Sequence, residues 1–254
     1  GKISGKTKKG LSFGVISAVT NDDYSSWIEV NSNSHFLVSR VTQDLFEGNS
    51  YIGFLSTIYN DNTETDYVNS IDMLSYFWNN QLIIDWQIIN SQSDHSVDYN
   101  GIEGKSGNGL SLEMNYNPTT SRFYSSIDIE YFDRALNIND VGFLYRNNLK
   151  KVQGGVGFHW PGLDLFPISE GRVDLNFNRM SNLDNLVLNN SMGLSGTVTF
   201  DNLWLGGGFN YLDEHNDDLL LYDYYIKDGD PIDKANRLGP PIMIPKGTEI
   251  NAYF

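Results

Sequence analysis

Three aspartates in one short segment are the residues of this sequence best suited to bind a metal. Asp228, Asp230 and Asp233 lie in a stretch with Gly229 and Pro231, a composition typical of a loop. Hard cations prefer oxygen ligands, and three carboxylates in one loop can supply them, so the segment predicts a calcium site. It lacks the complete EF-hand spacing, and a solvated turn is the alternative. No other cofactor is predicted.

Residues that could act in catalysis are present but scattered. The four histidines are far apart in the chain and lack metal-ligand spacing. Asp128 and Glu130 are two residues apart in a segment with strand patterning, so both point to the same side. Glycosidase carboxylates flank a substrate cleft, whereas this pair is better explained as the lining of a pore. We therefore predict no catalytic residues.

The elements that position these residues are predicted to be β-strands. Apolar and polar residues alternate with a period of two along almost the whole chain, as in Leu82 to Ile88 and Leu110 to Tyr116. The alternation predicts strands near residues 2–8, 11–20, 36–46, 50–60, 67–77, 81–91, 109–116, 121–132, 151–160, 167–180, 187–200, 203–212 and 248–254.

The lengths and connections of these strands predict an all-β fold, an antiparallel up-and-down transmembrane β-barrel of the outer-membrane type. Many strands exceed the five or six residues typical of soluble domains and match the roughly 9–11 that a tilted membrane strand needs. Short turns, such as Lys8 to Gly10 and Asn79-Asn80, alternate with long polar connections, such as Ser91 to Asn108. A soluble β-sandwich or β-solenoid would also show alternation and is the alternative.

The composition is compatible with such a barrel and argues against other classes of protein. With 32 acidic and 17 basic residues the formal net charge is −15, which argues against a nucleic-acid partner. Mean hydropathy is −0.36, and no apolar run approaches the roughly 20 residues of a spanning helix. Aromatic residues form 13% of the chain, as expected if rings gather at membrane interfaces. Cysteine is absent, so neither disulfides nor thiolate metal sites can form.

The alternation also assigns a lipid side and a lumen side to the predicted barrel. The residues predicted to contact lipid include Ile84, Ile88, Leu112, Val156 and Leu194. The residues predicted to face a water-filled lumen include Asp85, Glu113, Gln153 and Thr197.

Residues 134–148 break the alternation between two well-patterned strands. Apolar Phe143 lies near Asp140 and Arg146, which suits a segment that packs against protein. Irregular backbone at membrane depth is tolerated only where protein or a water-filled cavity surrounds it. We therefore predict that the segment folds inward and narrows or plugs the lumen, with Asp140, Phe143 and Arg146 as its main contacts. An ordinary outer loop or one further strand is the alternative.

No linker or change in composition divides the chain, so residues 1–254 are predicted to form one barrel domain. The strand count of about thirteen is odd, whereas bacterial barrels close with an even number. We expect the barrel to be incomplete within this sequence, with further strands after residue 254.

Three stretches resemble the barrel of domain-of-unknown-function family 5916. The first is Lys2-Ile3-Ser4-Gly5-Lys6-Thr7 leading into Gly14-Val15-Ile16-Ser17-Ala18-Val19-Thr20, which is similar to the start of that barrel. The second and most specific is Asp140-Val141-Gly142-Phe143-Leu144-Tyr145-Arg146-Asn147-Asn148. The third is Gly239-Pro240-Pro241-Ile242 followed by Pro245.

The resemblance implies which other domains accompany this chain in the complete protein. Members of the family usually carry a signal peptide and a family 9 carbohydrate-binding-like domain before the barrel, so a separate domain is expected before residue 1. The family has no established catalytic residues, and none can be transferred to this sequence. Some members are labelled hydrolases, but no motif here supports that label.

Two classes of function follow. The first is a bacterial outer-membrane barrel that contacts lipid and binds or passes a solute, such as a glycan, or that serves as a subunit of an envelope complex. The second is an outer-membrane enzyme with a hydrolytic site in the lumen or outer loops. The second class needs a nucleophile and a histidine within hydrogen-bond reach, and the sequence favours the first class.

Overall fold

The protein consists almost entirely of β-strands. The structure, a computed structural model, describes residues 1–21, 33–61, 65–93, 106–119, 121–138, 142, 144–165, 168–200, 203–217, 226–227, 230–231 and 242–253. A single 3-10 turn, Phe46–Gly48, is the one helical element among them. No helix in this described part combines the length and apolar character needed to cross a membrane.

Thirteen of the strands form one sheet. They are β1 (Lys2–Lys6), β2 (Leu11–Asn21), β3 (Asn33–Leu45), β4 (Ser50–Asn60), β5 (Thr65–Phe77), β6 (Leu82–Ser93), β7 (Ser106–Tyr116), β8 (Phe123–Phe132), β9 (Leu149–Leu165), β10 (Ile168–Ser181), β11 (Val187–Phe200), β12 (Leu203–Leu212) and β17 (Gly247–Tyr253). The others are β13 (His215–Asp217), β14 (Ile226–Lys227), β15 (Asp230–Pro231) and β16 (Ile242–Ile244), which form two small ladders, β13 with β16 and β14 with β15.

The sheet is an up-and-down meander. Each strand pairs antiparallel with the next from β1 to β12, and β17 pairs with β12. The predicted all-β, antiparallel, up-and-down architecture is therefore confirmed, with a strand close to each predicted position. Among the described pairings β1 and β17 do not bond to each other, so the sheet is open between them. The four short strands β13–β16 were not predicted, because two or three residues carry no measurable alternation.

The connections divide the sheet into two ends. At the short-turn end, tight connections use residues with positive φ, including Gly10, Gly48, Asn79 and Asn80. The opposite end is called the long-connection end here. It carries the longer connections between strands, residues 22–32, 94–105, 133–148 and 213–246.

The pairing register separates the sheet into an apolar face and a polar face. Asp85, Glu113 and Asp128 are direct register partners on β6, β7 and β8, so their side chains share one side. This polar face also carries Gln153 and Thr197. Residues one position away lie on the apolar face, and they include Ile84, Ile88, Leu112, Val156 and Leu194. The predicted division of these residues between two faces agrees with the register.

The apolar face is exposed along the sheet. Most of the large hydrophobic side chains that are exposed lie on it, including Ile88 at 52% and Met192 at 56%. Along its short-turn end, aromatic rings form a row across adjacent strands. Neighbouring ring centroids in this aromatic row are 5.4–6.5 Å apart, and its members are Trp78, Tyr116, Phe123, Phe158 and Trp160.

The one cluster of buried hydrophobic side chains lies on the polar face, at the long-connection end. It comprises Val68, Ile89, Phe132, Leu136, Leu149 and Leu188 among the described residues. Leu136 belongs to the β8–β9 connection, and it is 1% exposed. A connection therefore folds onto the polar face and builds a small core there.

Candidate solute-binding face

Carboxylates dominate the centre of the polar face. Asp85, Glu113 and Asp128 stand side by side on three adjacent strands, and neighbouring strands are about 4.8 Å apart. Asn115 donates a hydrogen bond from Nδ2 to Glu113 Oε1 at 2.6 Å. Further along, Glu113 and Asn210 lie at opposite sides of a groove of about 440 Å³. The face offers hydrogen-bond acceptors and amides to a polar ligand.

Arginine and lysine on this central part of the face are already paired. Arg40 on β3 binds Asp72 on β5 through two contacts, Nη1 to Oδ1 at 3.0 Å and Nη2 to Oδ2 at 2.6 Å. Gly53, on the intervening strand β4, leaves the space in which the two side chains meet, since a Cβ there would lie 2.9 Å from each of them. The pair is thus built across three strands.

Lys151 forms the second pairing. Its Nζ lies 2.9 Å from Asp128 Oδ2 and 3.4 Å from Glu130 Oε1. Gln153 donates from Nε2 to the same Asp128 oxygen at 2.8 Å. Because Lys151 shares its one charge between two carboxylates, the face keeps an excess of negative charge.

A second polar cluster lies toward the short-turn end. Arg172 binds Asp174 through Nε to Oδ2 at 2.8 Å and Nη2 to Oδ1 at 3.1 Å. Its guanidinium lies 4.8 Å from the centre of the Tyr124 ring, and the Tyr124 hydroxyl donates to Asp174. His159 and Glu170 meet beside them, with Nε2 and Oε1 2.6 Å apart. These side chains line a groove of about 650 Å³.

At the other end, the β8–β9 connection covers part of the polar face. We call residues 133–138 and 144–148 of this connection the strap. Leu136 lies over Gly107 and Gly109 of β7, two residues that belong to the polar face. A Cβ on Gly107 would overlap the backbone of Ala135 and Leu136. The absence of side chains at these glycines therefore lets the strap approach the sheet closely.

Polar contacts hold the strap in place. Asp133 accepts from the Asn108 backbone amide at 2.6 Å, and Asn137 donates its backbone N–H to Ser91 Oγ at 3.0 Å. Asn147 donates from Nδ2 to the Arg134 carbonyl at 2.7 Å, which ties the two parts of the strap together. These bonds fix the strap to β6 and β7 and to itself.

The strap also contacts a carboxylate of the polar face. The Tyr145 hydroxyl donates to Glu130 Oε2 at 3.0 Å. Burial raises the pKa of the Tyr145 phenol above its ordinary value of 10.0, and the neighbouring Glu130 carboxylate raises it further. Both effects disfavour the charged phenolate, so Tyr145 remains a hydrogen-bond donor at neutral pH.

Of the three residues predicted to plug the lumen, one can be placed. Arg146 is 6% exposed and donates from Nε to the Asn147 carbonyl at 3.3 Å. Asp140 and Phe143 lie outside the described residues. The burial of Arg146 fits a segment that packs against protein, and the role of the three residues as a plug stays a prediction.

The predicted calcium site cannot be located. Asp228 and Asp233 lie outside the described residues, and Asp230 begins β15 with a side chain that is likewise not described. Within the described ranges, no three His, Cys, Asp or Glu side chains come together as a metal-binding group. The calcium prediction for the three aspartates stays untested.

The described histidines and serines show no hydrolase geometry. His215 contacts the Asp213 carbonyl at 3.0 Å through Nδ1, and His159 contacts a glutamate. In the described part of the chain, no histidine is hydrogen-bonded to both a serine and a carboxylate. One Gly-x-Ser-x-Gly sequence occurs, at Gly10 to Gly14, but its Ser12 lies within β2 and not at a strand-to-helix turn.

Sequence reasoning singled out the segment that forms the strap, but it missed the contact of Leu136 with Gly107 and Gly109, and it missed the Arg40–Asp72 pair. The sequence did contain a signal for the strap. Gly107 and Gly109 are two residues apart, so they lie on the same face of β7, and glycines in a strand often mark a place where another backbone approaches closely. No sequence signal joins Arg40 to Asp72, because the two residues are separated by a complete strand.

The protein is thus an antiparallel β-meander whose apolar face is exposed and whose polar face is partly covered by the strap. The chain matches the family described as Domain of unknown function (DUF5916) over residues 1–225. It belongs to this family, as the resemblance predicted. The first two stretches that carried the resemblance fall within the match, and Gly239 to Pro245 lies beyond it. Comparisons with curated proteins and with solved structures found no match.

Proposed function

We propose that this chain forms the wall of a β-barrel in the bacterial outer membrane and that its polar face binds or passes a polar solute such as a glycan. The observation that carries the proposal is the exposure of the apolar face, where Ile88, Met192 and Leu194 are each more than half exposed. Soluble proteins rarely expose a contiguous apolar surface larger than a few hundred Å². In a membrane, lipid chains would cover this face, and its apolar side chains would not be exposed to water.

The aromatic row supports the same proposal. Trp and Tyr are enriched where a membrane meets water, because their rings are apolar and carry a polar group. The row lies beside the short turns and runs from Trp78, between β5 and β6, to Phe158 and Trp160 on β9. A ring of aromatic side chains at one interface is typical of outer-membrane barrels.

The polar face sets the class of solute. Its carboxylates and amides accept and donate hydrogen bonds, and its arginines and Lys151 are engaged in ion pairs. Such a surface favours neutral polyhydroxylated molecules, or cations, over anions. The strap would narrow the passage at the long-connection end, with Asp140, Phe143 and Arg146 as the plug residues.

The membrane part of the proposal is tested by two neighbouring substitutions on β6. Ile84→Arg places a charge on the apolar face and is expected to cost about 2–4 kcal/mol if the site lies near the bilayer midplane. Asp85→Arg places the same side chain on the polar face and should assemble much better. The measurement is the fraction of each variant that reaches the outer membrane in a protease-resistant form. Equal losses in both variants would contradict the proposed orientation.

The solute part is tested separately with the full-length protein in liposomes. Swelling in isotonic mono- and oligosaccharides reports passage, and titration calorimetry with the same sugars reports binding. Glu113→Gln and Arg172→Ala are expected to change either signal because both residues lie on the polar face, while Val152→Ala on the apolar face serves as the control. A protein that neither passes nor binds any of these solutes would contradict this part alone.

A further inference from the structure

Asp66, near the start of β5, is a buried carboxylate with an unbonded oxygen. The residue is 6% exposed, and its Oδ1 accepts no hydrogen bond from the described residues. Among these residues it also forms no ion pair. Thr57, on the neighbouring strand β4, is 4% exposed, and its Oγ1 is unbonded as well. A buried carboxylate oxygen without a partner is costly, and a bound cation or an ordered water would satisfy it.

The register brings further oxygen atoms to this part of the polar face. Asp66 is the register partner of Tyr59 on β4 and of Ser93 on β6. Thr57 is two residues before Tyr59 on the same strand, so it is the diagonal neighbour of Asp66. The Tyr59 hydroxyl in turn donates to Asp61 Oδ2 at 3.0 Å. The register therefore places the hydroxyl residues Thr57, Tyr59 and Ser93 on the strands beside Asp66.

We propose that Asp66 is the anchoring ligand of a site for a hard divalent cation such as Ca²⁺, with Thr57 Oγ1 as a second ligand. Ca²⁺ accepts six to eight oxygen ligands, including hydroxyls and waters, and does not need three carboxylates. The bound cation would neutralise Asp66 and would join β4 to β5 at the long-connection end. This site is separate from Asp228, Asp230 and Asp233.

The experiment measures Ca²⁺ binding to the full-length protein in detergent. We expect Ca²⁺ to raise the unfolding temperature of the natural protein and to displace Tb³⁺ whose luminescence is sensitised by nearby tyrosines such as Tyr59. Loss of an outer-shell partner alone typically weakens metal binding 10–100-fold, so Asp66→Asn should weaken it at least about tenfold. Asp44→Asn is the control, because Asp44 lies at the opposite end of the sheet and is paired with Lys6 at 2.6 Å.

A second comparison, of stability with a chelator and with added Ca²⁺, separates cation binding from a general effect of the substitution on folding. In the presence of a chelator, Asp66→Asn should be at least as stable as the natural protein, because it removes a buried charge. Added Ca²⁺ should then stabilise the natural protein and Asp44→Asn, and Thr57→Val should bind Ca²⁺ more weakly than either. The proposal is overturned if Ca²⁺ leaves the natural protein unchanged, or if Asp66→Asn responds to Ca²⁺ as the control does.

Discussion

Arg40 and Asp72 join β3 to β5 across the strand that separates them, with two parallel contacts of 3.0 and 2.6 Å meeting above Gly53. Side chains on alternate strands normally stand too far apart to bond, because each strand step adds about 4.8 Å. The long arginine side chain and the glycine between the two residues make this contact geometrically feasible. The pair therefore fixes the alignment of three strands at once.

Removing one member of this pair should destabilise the sheet. In Arg40→Met, the Asp72 carboxylate, whose side chain is 10% exposed, loses its only cationic partner among the described residues. We expect a loss of about 1–3 kcal/mol in the free energy of unfolding. The double variant Arg40→Met/Asp72→Asn should recover part of this loss, because no charge is then left unpaired. Additive losses from the two substitutions would show that the pair is not coupled.

The close approach of the strap to β7 gives a second prediction. Gly107→Ala forces a Cβ into the backbone of the strap and should cost about 1–3 kcal/mol or more, because the strap must move away. Gly14→Ala is a matched control on the same face, where the nearest atom would be Ser4 Cβ at 4.0 Å. Urea unfolding in detergent measures both variants. Equal stabilities of the two would mean that the strap does not rest on Gly107.

The buried leucine of the strap gives a third prediction. Leu136→Ala leaves a cavity beside Ile89 and Phe132 and should lower the free energy of unfolding by about 2–5 kcal/mol. Leu205→Ala removes the same atoms from the apolar face, where the side chain is 43% exposed, and should cost much less. Limited proteolysis near residue 136 should also become faster in Leu136→Ala but not in Leu205→Ala. Comparable costs at both positions would contradict the buried position of Leu136.

The environment of Tyr145 predicts a dependence on alkaline pH. A phenol whose pKa is raised by folding stabilises the folded state fully below its ordinary pKa of 10.0, and this contribution is lost as the pH rises above that value. Ultraviolet difference titration of the natural protein against Tyr145→Phe isolates this group. Glu130→Gln should lower the pKa of Tyr145 toward its ordinary value without reaching it, because burial is the larger cause. An unchanged titration in Glu130→Gln would exclude the contact.

The strands and their order could be predicted because alternation is a local signal with a fixed period. Leu110, Leu112 and Met114 are separated by polar residues, and this pattern alone assigns β7 and its two faces. The positive-φ turns at Gly10 and Asn79-Asn80 also follow from residue type. Together these signals predict a meander, because consecutive strands joined by tight turns must be neighbours.

The contacts of the polar face could not be predicted in the same way. Tyr145 and Glu130 meet because an irregular segment turns back over the sheet, and no periodic pattern describes that path. The burial of Arg146 was suggested by the apolar residues around it, but its partners were not. Asn137 and Ser91 are 46 residues apart, and only the register of two hairpins brings them together.

The strap has a consequence for the order in which the protein assembles. Its contacts with Ser91, Gly107 and Asn108 lie on β6 and β7, but its Arg134 pairs with Asp184 between β10 and β11, and its Leu136 shares a buried cluster with Leu188 of β11, so the strap is complete only when the strands β6–β11 are in place. We therefore expect the strap to settle only after β11 has joined the sheet, as a late step in the folding of this part of the chain.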